Sequence, residues 1–255
     1  MLKAEKLTKR FGGNTAVNEV DFEIRAGQIT AVIGPNGAGK TTFFNLISGF
    51  HQPSGGRLLL NGRDVTGSPS YQMARLGIAR TFQTTKLFAE ATVIDNLIIG
   101  HRLRTKSGLW GAIMRTGRYR REEQKCREKA MQALAFVGAA ELAERPVASI
   151  SQEAQKRVAI ALALATDPQL VLLDEPAAGI NANETSRLAE LIRKMKNAGL
   201  TVCIIEHKMQ MIMNLADRIM VLNQGAKIAE GTPAEISQNE TVIAAYLGGA
   251  YHVEA

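Results

Sequence analysis

The sequence predicts an α/β fold built on a buried parallel sheet, and three observations carry that expectation. A glycine-rich turn, Gly34-Pro35-Asn36-Gly37-Ala38-Gly39-Lys40-Thr41, lies between the strand-like run 28–33 and a helix-like run beginning at Thr42. Two short apolar runs, Leu170-Val171-Leu172-Leu173 and Val202-Cys203-Ile204-Ile205, are too short for helices, and each ends in acidic residues. Such runs are the strands of a sheet covered on both faces, whose carboxyl ends are where ligands bind. Between them, residues 96–137 change to helical spacing, with Cys126, Ala130, Leu134 and Val137 on one face.

The elements follow in chain order. Residues 1–6 alternate polar and apolar like a first strand, without the apolar segment and cleavage site of a signal peptide. Asp21-Phe22-Glu23-Ile24, residues 28–33 and Arg57-Leu58-Leu59-Leu60 read as further strands, the last introduced by the turn Pro53-Ser54-Gly55-Gly56. After the helical stretch and the two buried strands, residues 219–222 and 227–230 form a hairpin through Asn223-Gln224-Gly225. Pro233 to Leu247 reads as a closing helix.

Composition narrows the class. With 45% hydrophobic and 22% charged residues the chain is neither disordered nor fibrous. No apolar run approaches the ~20 residues that span a bilayer. Cys126 and Cys203 are the only cysteines, which supports neither a disulfide framework nor a metal site and fits a reducing cytosol. The whole net charge of +7 is matched by residues 101–129, where ten Lys or Arg face Glu122, Glu123 and Glu128. Such a block suits nucleic acid, an anionic membrane face, or water alone.

The glycine-rich turn matches the phosphate-binding loop in full and has the strand-then-helix context that the motif requires. Glycines let backbone N–H groups curl around phosphate oxygens, Lys40 reaches the β- and γ-phosphates, and Thr41 offers a hydroxyl to Mg²⁺. Thr42 continues the loop into the helix. Asp174 and Glu175 end an apolar strand in the form of the second nucleotide element: Asp174 holds Mg²⁺ through water, and Glu175 orients or deprotonates an attacking water.

With these motifs in place the chain resembles an ABC ATPase over nearly its whole length. By that resemblance Phe11 is the aromatic that stacks on adenine. Gln83, in Thr81-Phe82-Gln83, is the glutamine that senses Mg²⁺ and γ-phosphate, and His207, after Ile204-Ile205-Glu206, is the histidine that contacts γ-phosphate. Within the superfamily the chain is similar to the ATPase subunits of branched-chain amino acid importers. Residues 77–83, Glu175-Pro176-Ala177-Ala178-Gly179-Ile180-Asn181, the basic insertion, and the stretches 231–236 and 245–248 carry this likeness.

The resemblance implies a RecA-like P-loop NTPase core with an antiparallel β subdomain and an inserted α-helical subdomain. It makes 1–255 one ABC ATPase domain: 1–86 with 166–255 as β subdomain plus core, and 87–165 as helical subdomain with the insertion 101–129. The cofactors implied are ATP and Mg²⁺. The implied partners are permease subunits in the inner membrane, a second ABC ATPase subunit and, indirectly, a periplasmic solute-binding protein, with no nucleic acid expected. The location implied is the inner face of the cell membrane. Other cargoes, such as lipopolysaccharide export or urea and amide uptake, and a soluble nucleic-acid-associated ABC ATPase, are the alternatives.

One motif departs from the family pattern. The signature, normally Leu-Ser-Gly-Gly-Gln, aligns with Ile150-Ser151-Gln152-Glu153-Ala154, so Ser151 remains while Gln152 and Glu153 replace both glycines. Glu153 then adds a side chain and a like charge where backbone approaches the partner's γ-phosphate. A heterodimer with an ATPase of intact signature is expected over a homodimer.

Overall fold

The computed structural model describes residues 1–81, 87–102 and 117–247. Gln83, residues 103–116 of the basic insertion and the residues after Leu247 lie outside the described residues. The chain divides into two compact units, 1–80 with 169–255, and 81–168.

The first unit holds two sheets. Strands β1 (Leu2–Phe11), β2 (Asn14–Ile24), β4 (Gly55–Leu60) and β5 (Arg63–Asp64) form an antiparallel sheet in the order β2-β1-β4-β5. The second sheet contains β3 (Ile29–Ile33), β6 (Ile78–Thr81), β7 (Leu170–Asp174), β8 (Thr201–Ile205), β9 (Arg218–Asn223) and β10 (Ala226–Gly231), in the order β10-β9-β3-β8-β7-β6. Its pairs β3–β8, β3–β9 and β7–β8 are parallel, and β9–β10 is an antiparallel hairpin. Every residue of β3, β7 and β8 is buried, which is why these strands read as unbroken apolar runs rather than alternating ones.

Helix α1 (Lys40–Ile47) joins the two sheets into one core. Its Phe43 and Phe44 are fully buried in a cluster with Leu7 and Phe22 of the antiparallel sheet and Leu172 and Cys203 of the parallel strands. The Phe22 and Phe43 rings meet edge to face at 5.7 Å. This packing fixes the start of α1, and with it the turn of residues 34–39, against the carboxyl ends of β3 and β7. Helix α2 (Ser70–Arg75) follows β5.

The second unit is helical, with α3 (Val93–Arg102), α4 (Gly117–Phe136) and α5 (Gln152–Leu164). Cys126, Ala130 and Leu134 are buried on α4, as their spacing requires, together with Val93, Ile94 and Leu97 of α3 and Val158 and Ala161 of α5. Buried Asn96 holds the chain entering α3: its amide nitrogen donates to the carbonyls of Phe88 and Thr92, and its oxygen accepts from Phe88 N.

The first unit resumes with α6 (Ala182–Asn197) and α7 (Met209–Leu215). The C-terminal segment differs from the single closing helix expected. It forms α8 (Pro233–Ser237) and α9 (Glu240–Leu247). Thr232 and Glu235 make a reciprocal capping box at α8 with Pro233 at its first position, and Asn239 Oδ1 accepts from Val242 N to start a new helix. A polar cap competes with helix continuation, so the chain stops and restarts there.

Candidate nucleotide-binding and hydrolysis site

The site is built at the carboxyl ends of β3, β7 and β8. Residues 34–39 leave β3 and curl into α1. Gly39 has φ 97°, and a Cβ placed on it would lie 2.3 Å from the Ala16 carbonyl oxygen, so only glycine fits. The hairpin turn at Gln224 and Gly225 braces the loop from outside, with Gly225 N donating to Ala38 O and Asn18 N to Gly225 O. A cleft of about 460 Å³ opens over it, lined by residues 36–42, by Asn14, Thr15 and Ala16 of β2, and by Glu175, His207, Gln224 and Gly225.

The loop's donors fit a phosphate. Lys40 is buried, and its ammonium donates to the carbonyls of Gly34 and Pro35, both at 2.8 Å, so the side chain lies folded along the loop. Desolvation lowers its pKa from the ordinary lysine value, while the Glu175 carboxylate opposes that shift. The amides of Gly37, Gly39, Lys40, Thr41 and Thr42 donate to no carbonyl among the described residues. A helix start of this kind, with N–H groups converging and the dipole's positive end outward, binds anions. The Thr41 hydroxyl makes no hydrogen bond with the described residues and is exposed, as a metal-ligating oxygen needs to be.

Two acids end β7. Asp174 is 6% exposed, and its Oδ2 accepts from Arg80 Nη2 at 2.8 Å in an ion pair buried on both sides. The other guanidinium nitrogen, Nη1, donates to Asn45 Oδ1 at 2.7 Å and Ser48 Oγ at 2.9 Å on and beside α1. Arg80 therefore ties β6, β7 and the end of α1 to one carboxylate. Glu175, the next residue, has φ 46°, a left-handed conformation that non-glycine residues adopt only where surroundings enforce it. Its Oε1 lies 2.9 Å from His207 Nε2. With the carboxylate ionised, the imidazole donates from Nε2.

The structure thus brings residues 36–42, Glu175 and His207 into one cleft, whereas Asp174, buried against Arg80, is not among the residues lining it. Phe11 stands at the end of β1, 45% exposed, edge to face with His51 at 5.4 Å and with Lys9 Nζ 5.0 Å from its ring centre. It is not among the residues lining the cleft. Gln83 lies outside the described residues. Sequence reasoning missed Arg80, Asn14, Thr15, Ala16, Gln224 and Gly225. In the sequence Arg80 stands out only within the stretch 77–83, and Gln224 and Gly225 only as a hairpin turn; their places at the site arise from contacts across the fold.

In the second unit the signature segment opens a helix. Ser151 is the N-cap of α5 and its hydroxyl accepts from Ala154 N at 3.2 Å. The like charge expected of Glu153 is paired within its own helix. The residue folds along α5 to pair with Arg157, Oε1 to Nε 2.8 Å, with its side chain only 13% exposed. The i,i+4 spacing allows this, and Glu153 also stands in the first turn, where the helix dipole favours an anion. Arg157 in turn caps α4 by donating to the carbonyls of Val137 and Gly138.

The ABC transporter family matches residues 17–178, and the branched-chain amino acid ATP-binding cassette transporter family matches 226–252. The chain is 44% identical over 251 residues to the high-affinity branched-chain amino acid transport ATP-binding protein LivG of Salmonella typhimurium (strain LT2), covering 98% of each. It is 42% identical to the corresponding protein BraF of Pseudomonas aeruginosa, again over 98% of each. Among solved structures, the ADP conformation of MJ1267, an ATP-binding cassette of an ABC transporter, superposes with TM-score 0.86 at 31% identity, covering 97% of this chain and 98% of that one.

Proposed function

The chain belongs to the ABC transporter ATP-binding family, and on that premise we propose that it is the ATP-hydrolysing subunit of a bacterial importer for branched-chain amino acids or a similar small solute. The observation that carries the hydrolytic reading is the Glu175–His207 contact at 2.9 Å, in the same cleft as Lys40 and the loop amides. The likeness of 42–44% to LivG and BraF over the whole chain, and the match at 226–252, support the cargo class.

In this reading the loop amides and Lys40 hold the phosphates and stabilise charge on the transferring group. Glu175 orients the attacking water and accepts its proton, and His207 keeps the carboxylate aimed. Phe11 carries the adenine. Mg²⁺ bound with the nucleotide would offset phosphate charge, and Thr41, Asp174 and Gln83 are the residues that would hold it. The partners are permease subunits at the inner face of the cell membrane and a second ATPase subunit whose signature completes the site, while Ser151, Gln152 and Glu153 face the partner's nucleotide. The domain limits proposed are 1–86 with 166–255 for the core and 87–165 for the helical part.

Lys40→Ala tests the site. Lys40 supplies the loop's one side-chain cation, so the variant is expected to lose ATP binding, read as quenching or enhancement of a fluorescent ATP analogue. Wild-type affinity in a folded variant would refute the assignment.

A further inference from the structure

We propose that Glu206 and Lys208 are positioning residues that clamp the loop carrying Glu175 onto the loop carrying His207. This rests on the hydrolytic reading above and names residues that it does not use. β7 and β8 run parallel in register, with Asp174 opposite Ile205, and Glu175 N donates to Ile205 O at 2.9 Å. Beyond that bond the two chains leave the sheet separately, 175–181 toward α6 and 206–208 toward α7. The backbone ladder no longer sets one loop against the other, and side chains must.

Two residues do so from either side of His207. Glu206 is 3% exposed. Its Oε1 accepts from Ala177 N at 2.5 Å, across 29 residues of sequence, and its Oε2 accepts from His207 N at 2.9 Å and Lys208 N at 3.3 Å. No Lys, Arg or His side chain pairs with Glu206 among the described residues, so backbone N–H groups from both loops hold the buried carboxylate. A carboxylate satisfied in this way is a strong, directional junction. Lys208 reaches the far end of the same loop: its Nζ donates to Ile180 O at 2.7 Å and to Thr185 Oγ1 at 2.8 Å in the first turn of α6.

The loop 175–181 is thus held near both ends by the two neighbours of His207. Glu175 needs that restraint, since a left-handed non-glycine conformation persists only where its surroundings over-determine it. A purely local role, in which Glu206 caps its own turn through His207 and Lys208, accounts for neither the Ala177 bond nor the Lys208 contacts.

Glu206→Gln places an amide nitrogen against backbone donors, and Lys208→Met removes the second tie from a half-exposed site while leaving the buried carboxylate in place. In the full chain, both variants are expected to bind a fluorescent ATP analogue within about twofold of wild type. Turnover should fall by about tenfold or more, since small misplacements of reacting groups cost up to about 100-fold. Amide exchange across 177–181 should quicken, and Lys208→Arg should recover most of the turnover. Wild-type turnover with unchanged exchange at 177–181 in folded Lys208→Met would overturn the clamp, as would equal losses of binding and turnover. Lys40→Ala separates the two readings: normal ATP binding there sinks the site itself, whereas lost binding there beside unchanged clamp variants sinks only the clamp.

Discussion

At the scale of single residues, the site depends on how buried charges are satisfied. Asp174 and Arg80 are both nearly inaccessible, and breaking such a pair leaves an uncompensated charge at a cost of about 3–5 kcal/mol. Arg80→Met is therefore expected to lower the stability of the folded chain by about that amount, read by urea unfolding. Adding Asp174→Asn should recover much of the loss, because the orphaned anion is gone. Equal destabilisation by Arg80→Met in both backgrounds would show that the pair is not coupled. The phosphate loop, Asp174 and Glu175 were legible in the sequence because their chemistry is local: glycines, a lysine and a threonine within eight positions, and acids at the end of an apolar strand. Arg80 and Glu206 were not. Each reads as an ordinary charged residue until the fold supplies Asp174 from 94 positions away or Ala177 from 29.

At the scale of elements, apolar patterning foretold β3, β7, β8 and the buried face of α4, whereas polar capping decided what it missed. Asn239 splits the C-terminal segment into α8 and α9, and Asn181 with Glu184 forms the capping box that starts α6 directly after the Glu175 loop. The signature is likewise an element-level feature. Pairing with Arg157 offsets the charge of Glu153, so what it adds at the start of α5 is mainly bulk where the family carries glycine. Glu153→Gly is expected to raise ATP turnover of the chain alone, by relieving that bulk, while loosening α5 by about 1 kcal/mol through lost helix propensity and pairing. Steady-state phosphate release alongside thermal unfolding checks both effects. Unchanged turnover would mean that the side chain does not obstruct the site facing the partner.

At the scale of the molecule, residues 36–42, Glu175 and His207 share one cleft, while Ser151 opens a helix in the other unit. On the proposed function, a heterodimer with a related ATPase would place only one Glu153 against a nucleotide and would avoid that obstruction at one of two sites. In it Lys40 and Glu175 of this chain would serve the site completed by the partner's intact signature. On the proposed function, hydrolysis depends on Glu175 whereas nucleotide capture depends on the loop. The direct measurement compares wild type and Glu175→Gln in the full chain, following phosphate release from ATP and the affinity for a fluorescent ATP analogue on the same preparations. The expected result is retained affinity with phosphate release reduced by about 100-fold or more, as loss of a general base and water-orienting group requires. Release at the wild-type rate in Glu175→Gln, with binding intact, would contradict it.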